Sequence, residues 1–287
     1  MTNACHPEAD GFIERDGVRV FWELYGHGAW TVLLLPTWSG VDSRFWKLQI
    51  PYLARHFRVL TFAGRGNGRS DRPVGAAAYS VDEFAADAVA VLDATATEQA
   101  ALISLSCGAL WATTIAAEHP TRVDRLAYIS PAVGELAPNH PERDVYGFDE
   151  RLDTDEGWAK YNSHYWLRDL GGFAEFFSGK CCNEPHSSKQ REDFVGWLLE
   201  TDPESLADAT RGLALDGTTP LQDRLARVSC PTIVLHGDVD QVRPHAQGAA
   251  LAQLTGGRLV TLEGSGHLPN LRSPVRVNLL LRQFLES

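Results

Sequence analysis

What this chain of 287 residues lacks narrows its possibilities first. No apolar run approaches the roughly 18 to 20 residues that cross a bilayer, and the opening Met1–Asp10 is polar, without the apolar stretch of a signal peptide. A cytoplasmic protein is expected. No basic run appears and the formal charge is −11, so a nucleic-acid or anionic-membrane partner, which calls for a patch that neutralises phosphate, is excluded. Cysteine is sparse: Cys5, Cys107, Cys181, Cys182 and Cys230 form neither a disulfide framework nor a Cys-x-x-Cys metal site. The glycine-rich loop around Gly64, Gly66 and Gly68 lacks the Gly-Lys-Ser/Thr of a phosphate cradle and is read as a tight structural loop with positive-φ positions. No metal and no cofactor is expected.

What is present is the composition of a globular chain with a large core, 44% hydrophobic and 22% charged. Phe12 to Asp16 and Arg19 to Tyr25 alternate around Asp16-Gly17, which predicts an opening hairpin. Continuous apolar runs then predict strands buried on both faces at Trp30–Leu35, Val59–Phe62, Ala101–Ile103, Arg125–Ile129, Thr232–Leu235 and Arg258–Leu262. Between them, helical spacing covers Arg44–His56, a capping box at Ser80-Val81-Asp82-Glu83 opens a helix through Leu92, another helix runs through Leu251 and Leu254, and Ser273-Pro274 starts the last. Alternating strands and helices mean an α/β fold with a mostly parallel central sheet flanked by helices. The alternation breaks between Ala132 and Leu215, a stretch rich in aromatics (Trp158, Tyr161, Trp166, Phe173, Phe177 and others) that reads as a helical cap over the C-terminal strand ends. The expected organisation is core 1–131, cap 132–215 and core 216–287.

The chain is organised around Ala101–Ala112. A strand breaks at Ser104-Leu105-Ser106-Cys107-Gly108 and continues as a small-residue helix, which puts Ser106 at the apex of a sharp strand-to-helix turn, the geometry of a nucleophile elbow. A serine hydroxyl is a weak nucleophile and needs a base, which in turn needs a carboxylate to fix its tautomer. His267, in a Gly-x-Gly-His loop after the last strand, is the candidate base; Asp240, in the loop after Thr232–Leu235, is preferred over Asp238 as the acid. The order Ser106, Asp240, His267 is the hydrolase order. Backbone N–H groups of Cys107 and of Trp38, on the loop after Trp30–Leu35, are the candidate oxyanion donors. Cys107 as an alternative nucleophile is disfavoured, because a residue one position past the apex points into the helix.

These residues resemble the α/β-hydrolase superfamily over almost the whole chain. Pro36-Thr37-Trp38-Ser39, Pro51-Tyr52-Leu53-Ala54-Arg55-His56, Gly64-Arg65-Gly66-Asn67-Gly68-Arg69-Ser70-Asp71-Arg72-Pro73, and in the cap Gly157–Asn162 and Glu184–Ser187, are similar to an actinobacterial group of lidded hydrolases. The resemblance implies an α/β-hydrolase fold and a metal-free, cofactor-free enzyme acting on a small molecule. Three positions depart from the family pattern: Pro36-Thr37 stands for His-Gly in the oxyanion loop, Ala63 for an acidic residue at the cost of a loop hydrogen bond, and Ser104 for glycine, where its hydroxyl crowds the elbow. The expected reaction is hydrolysis of a carboxylic ester, thioester or lactone of a small, largely apolar molecule. A lyase, cyclase or acyl transferase using the same pocket, and a ligand-binding protein with an idle triad, are the alternatives. Serine at the apex disfavours dehalogenase and epoxide-hydrolase chemistry, which need a carboxylate nucleophile there.

Overall fold

The computed structural model describes residues 5–215 and 219–287; the first four residues of the polar opening and the expected cap-to-core junction at 216 lie outside the described residues. Strands β1 (Ala9–Arg15), β2 (Val18–Tyr25), β3 (Thr31–Leu34), β4 (Arg58–Phe62), β5 (Ala100–Leu105), β6 (Val123–Ile129), β7 (Thr232–Gly237) and β8 (Arg258–Leu262) make one sheet in the order β1-β2-β4-β3-β5-β6-β7-β8. The β1–β2 and β2–β4 pairs are antiparallel and the rest parallel. The hairpin turn is the expected Asp16-Gly17, with φ of 51° and 77°. Positive φ at both positions matches the twist of the flanking strands.

Helices α1 (Ile50–Leu53), α2 (Val81–Ala94), α3 (Gly108–Glu118), α4 (Ser163–Cys181), α5 (Ser188–Leu198), α6 (Pro203–Gly212), α7 (Leu221–Leu225), α8 (His245–Thr255), α9 (Pro269–Arg272) and α10 (Pro274–Leu285) surround the sheet. The central strands carry the apolar runs because both their faces are covered; Leu33, Leu34, Leu102, Ile103, Leu126 and Ile129 have no exposed surface. From β3 the chain steps outward to β4 and then returns to the other side of β3 as β5. The loops leaving β3 and β5 therefore diverge and open a crevice at their C-terminal ends.

Two local expectations need correction. The Arg44–His56 helix is a 3-10 turn at Ser43–Trp46 followed by the single turn α1. Pro51 has no N–H for a longer helix and is seated instead in the first turn of α1, where none is needed. At α2, Ser80 Oγ accepts the Glu83 N–H at 3.3 Å, but the Glu83 carboxylate is drawn to Arg15, 2.6 Å away, and to Arg65, rather than completing a capping box. Ser273, by contrast, occupies the N-cap of α10 before Pro274 as expected, though without a side-chain hydrogen bond.

Between β6 and β7 the described residues contribute α4, α5, α6 and α7 and no strand of the sheet. Its aromatic residues pack on the core: Trp166, Phe173 and Phe177 surround Trp38 at ring-centroid distances of 6.1, 6.3 and 5.5 Å. No helix among the described residues is long and apolar enough to cross a membrane.

Candidate active site

Ser106 sits between β5 and α3 with φ of 51°. A side-chain-bearing residue in the left-handed region is strained, and the surroundings hold it there: its N–H donates to Ile129 O at 3.1 Å, and its carbonyl accepts from Ala109 and Ala132 N–H at 3.1 and 3.0 Å. Small neighbours are required because the loop after β3 presses on the turn. A Cβ on Gly108 would lie 2.7 Å from Pro36 O and 3.3 Å from Ser104 Cβ. Ser104 fits without crowding the elbow, since its hydroxyl turns toward Ala127 O on β6, 3.4 Å away.

His267 Nε2 lies 3.0 Å from Ser106 Oγ, and His267 Nδ1 lies 2.8 Å from Asp240 Oδ2. Asp240 Oδ1 accepts the backbone N–H groups of Val242 and Arg243 at 2.7 and 2.9 Å. Burial acts to raise the Asp240 carboxyl, but the charge of His267 and hydrogen bonds from His236 and His267 outweigh it and hold the group well below the ordinary carboxylate range. An ionised Asp240 can only accept, so His267 Nδ1 carries a proton and, in the neutral ring, Nε2 is free to accept the Ser106 hydroxyl proton. Asp238 is elsewhere: exposed, it accepts the Gly264 N–H at 2.7 Å, a turn contact. Cys107 is the N-cap of α3 with helical φ and ψ, and its backbone N–H has no hydrogen-bond partner among the described residues.

The loop after β3 is held from outside. Trp46 Nε1 donates to Leu35 O at 2.9 Å, Trp111 Nε1 to Pro36 O at 3.0 Å, and Asn67 Nδ2 to Val41 O at 2.7 Å. Trp38 and Val41 face each other in a narrow bridge. The Gly64–Pro73 loop is the expected tight loop, with positive φ at Gly66 and Gly68, and it is tied down: Arg65 forms a two-point ion pair with buried Asp87 at 2.6 and 2.9 Å, and Ser70 Oγ donates to Ala63 O at 2.6 Å while accepting the Phe21 N–H at 2.9 Å.

Several positioning residues carry no motif in the sequence. His236, at the end of β7 and fully buried, places Nε2 3.2 Å from Asp240 Oδ2 and 3.1 Å from Arg243 O. Both partners are acceptors, so Nε2 bears the proton and Asp240 receives a second imidazole N–H. The only signal was a histidine four residues before the acid. Glu184, between α4 and α5, accepts the Gly266 N–H at 2.7 Å and so grips the His267 loop, helped by Asn183 Nδ2 on Val239 O at 2.8 Å.

A narrow cavity of about 30 Å³ touches Ser106 and His267, lined by Trp38, Cys107, Phe177 and Phe194 together with Arg143 and Arg243. Two wider clefts, of about 470 and 660 Å³, lie elsewhere: one between β2 and the Asp42–Pro51 segment, the other at the N-terminal ends of β3 and β5. Neither contains the serine–histidine contact, so chemistry decides for the small one. Among the described residues no group of three His, Cys, Asp or Glu side chains could hold a metal ion.

A family model described as "alpha/beta hydrolase fold" matches residues 31–274. The chain is similar to AB hydrolase superfamily protein YisY of Bacillus subtilis, 30% identical over 276 residues that cover 94% of this chain and 96% of that one. It is also similar to the pimeloyl-[acyl-carrier protein] methyl ester esterase of Aeromonas hydrophila, 25% identical over 92% of this chain and 98% of that one. Among solved structures, Est816, described as an N-acyl homoserine lactone degrading enzyme, superposes with a TM-score of 0.76 at 26% identity, covering 96% of this chain and all of its own.

Proposed function

The chain belongs to the alpha/beta hydrolase fold family, and from that premise we propose that it is a serine hydrolase cleaving a carboxylic ester, thioester or lactone of a small, largely apolar molecule. The observation that carries the reading is the continuous relay from Asp240 through His267 to Ser106, 2.8 and 3.0 Å per link, ending on a serine at the apex of a strained turn. That an esterase of a methyl ester and a lactone-degrading enzyme are among its relatives supports ester and lactone bonds as the target. The likeness of its Pro36–Ser39 and Gly64–Pro73 motifs to an actinobacterial group of lidded hydrolases supports the narrower reading that it belongs with them.

In the proposed mechanism Ser106 Oγ attacks the ester carbonyl as His267 Nε2 takes its proton. Asp240 keeps the ring oriented and stabilises the imidazolium, a role that its depressed carboxyl suits. The carbonyl oxygen becomes an oxyanion, received by the backbone N–H groups of Cys107 and Trp38; each such donor is worth about 3 kcal/mol of barrier. His267 returns the proton to the leaving alcohol, and the acyl group stays on Ser106. Water, deprotonated by the same imidazole, then releases the acid. Residues 132–215 act as the cap, between core segments 1–131 and 216–287. A cavity of about 30 Å³ has room for a water or two, so side chains of its lining must shift to admit an ester.

A fluorophosphonate probe followed by intact-mass measurement tests this directly. One adduct on the wild type, absent from Ser106→Ala and formed far more slowly by His267→Ala, is expected. A folded wild type that takes no adduct and turns over no ester would overturn the serine mechanism in favour of a non-hydrolytic or receptor role for the pocket.

A further inference from the structure

The cavity beside Ser106 is walled by apolar and aromatic side chains, yet two guanidinium groups, Arg143 and Arg243, reach it. Arg143 lies over the faces of Trp158 and Tyr161, with Cζ 4.9 and 4.7 Å from the ring centroids, and its one hydrogen bond is a long 3.4 Å contact from Nη1 to Val242 O. Arg243 donates from Nη1 to Asn139 Oδ1 at 2.7 Å, while its Nε is buried without a partner. Neither guanidinium has a carboxylate partner among the described residues.

Several covered arginines elsewhere are paired with acids, and Arg58, which has none among the described residues, is held instead by Thr31 and Thr97 hydroxyls and the Thr95 carbonyl. Arg65 meets Asp87, Arg15 meets Glu83, and Arg224 meets Asp82. The pair at the cavity is different: burial and the neighbouring charge of Arg243 push Arg143 down to about 10. Two like charges in a half-buried, aromatic-lined space repel, and the nearest carboxylate of the site, Asp240, is already committed to two imidazoles and two backbone N–H groups. An anion that enters from outside would relieve such an arrangement.

We propose that Arg143 and Arg243 form a receptor for a carboxylate on the substrate, so that the ester cleaved at Ser106 is a half-ester or lactone carrying a free carboxylate on an otherwise apolar body. A planar carboxylate suits this receptor because guanidinium is a planar fork that binds it through two parallel hydrogen bonds. The stacking on Trp158 and Tyr161 fixes the plane of Arg143 in advance and leaves its edge for the ligand. The proposal rests on the assignment of Ser106 as nucleophile only for where the ester bond lies; the anion site itself is independent of it.

The test compares mono-p-nitrophenyl glutarate, whose acyl chain ends in a carboxylate, with p-nitrophenyl hexanoate, of similar length and neutral. The wild type is expected to favour the glutarate by tenfold or more in kcat/KM, and Arg143→Met to lower that ratio at least tenfold, chiefly through KM. Arg143→Lys should restore part of the ratio, and Arg243→Met supplies a second variant should Arg143→Met fail to fold. A wild-type preference for the neutral ester, or an unchanged ratio in folded Arg143→Met, would overturn the proposal and leave Arg143 as an aromatic packing residue. Glutarate itself separates this from the serine mechanism. If it raises the melting temperature of the wild type and of Ser106→Ala but not of Arg143→Met, the receptor stands even with no turnover of either ester; no shift in any of them refutes the receptor alone.

Discussion

Replacing Asp240 by asparagine changes one atom and tests the whole relay. Val242 and Arg243 N–H, 2.7 and 2.9 Å from Oδ1, require an oxygen on that side of the side chain. The amide NH₂ is then forced to the Oδ2 side, facing His267 Nδ1 at 2.8 Å and His236 Nε2 at 3.2 Å. His267 can accept from it only by giving up its Nδ1 proton, which moves to Nε2 and points at Ser106. The base is lost without any loss of volume. A wrong tautomer of this kind lowers kcat by about 10⁴ in a serine protease triad, equivalent to about 5 kcal/mol of barrier. Against His236 the amide places donor against donor, leaving one buried N–H unsatisfied at a cost of about 1–3 kcal/mol.

Hydrolysis of a p-nitrophenyl ester, with melting temperature as the control for folding, reads both effects. Asp238→Asn, which keeps an acceptor for Gly264 N–H, is the matched control and should retain wild-type kcat. Acid adds an independent reading. The Asp240 carboxyl is depressed in the folded state, so its contribution to stability is complete above the usual carboxylate pKa of about 3.9 and is lost as pH falls through the folded value. The stability gap between wild type and Asp240→Asn should therefore be widest near neutrality and close in acid. A folded Asp240→Asn within about tenfold of wild-type kcat, or an equal loss in Asp238→Asn, would refute the assignment of the acid.

Gly108→Ala should destabilise the protein by about 1–3 kcal/mol and abolish labelling by a fluorophosphonate, because the added methyl meets the Pro36 carbonyl oxygen at 2.7 Å and Ser104 Cβ at 3.3 Å; an unchanged melting temperature would mean that the loop is not pressed on the elbow. Glu184→Ala should cut kcat more than it raises KM, since it frees Gly266 N–H and loosens the His267 loop, and Glu184→Gln should recover much of the loss because an amide oxygen can still accept. Cys181 and Cys182 are buried and free, and burial pushes the Cys182 thiol up to about 12 and raises that of Cys181 well above its ordinary value. Neither should react with iodoacetamide at pH 8 until the protein is denatured, as peptide mapping would show, and fast native labelling would contradict the packing of α4 on the core.

The strands were legible because burial writes itself plainly into sequence. A strand covered on both faces, such as β5 with all six residues buried, becomes an unbroken apolar run, and the Asp16-Gly17 turn has chemistry that few other sequences share. The Ser106 turn was legible for a steric reason, the need for small residues where helix and strand converge. What could not be read were contacts that depend on where separate elements meet. His236 looks like any buried histidine until the loop after β7 folds Asp240 back beneath it, and Glu83 looks like half of a capping box until Arg15, 68 residues away in the chain, claims its carboxylate. Arg143 and Arg243 are a hundred positions apart and become neighbours only because the segment after β6 and the loop after β7 reach the same cavity.

The substitution of Pro36-Thr37 for His-Gly shows how a loop can keep a shape while changing the residues at its start. A glycine there would grant conformational freedom that something else must then remove. In this chain the constraint comes from two indoles and an amide: Trp46 takes the Leu35 carbonyl, Trp111 the Pro36 carbonyl and Asn67 the Val41 carbonyl. Proline has no N–H to satisfy and a fixed φ, so it limits the unfolded chain while still offering the carbonyl that Trp111 needs. Trp111 in turn stacks on Phe84 of α2, with centroids 4.7 Å apart, which locks the indole donor in place. The same Pro36 carbonyl leaves no room for a side chain on Gly108. The loop after β3 and the Ser106 turn are thus fitted to each other across one carbonyl oxygen, with no glycine needed in the loop's Pro36-Thr37 start.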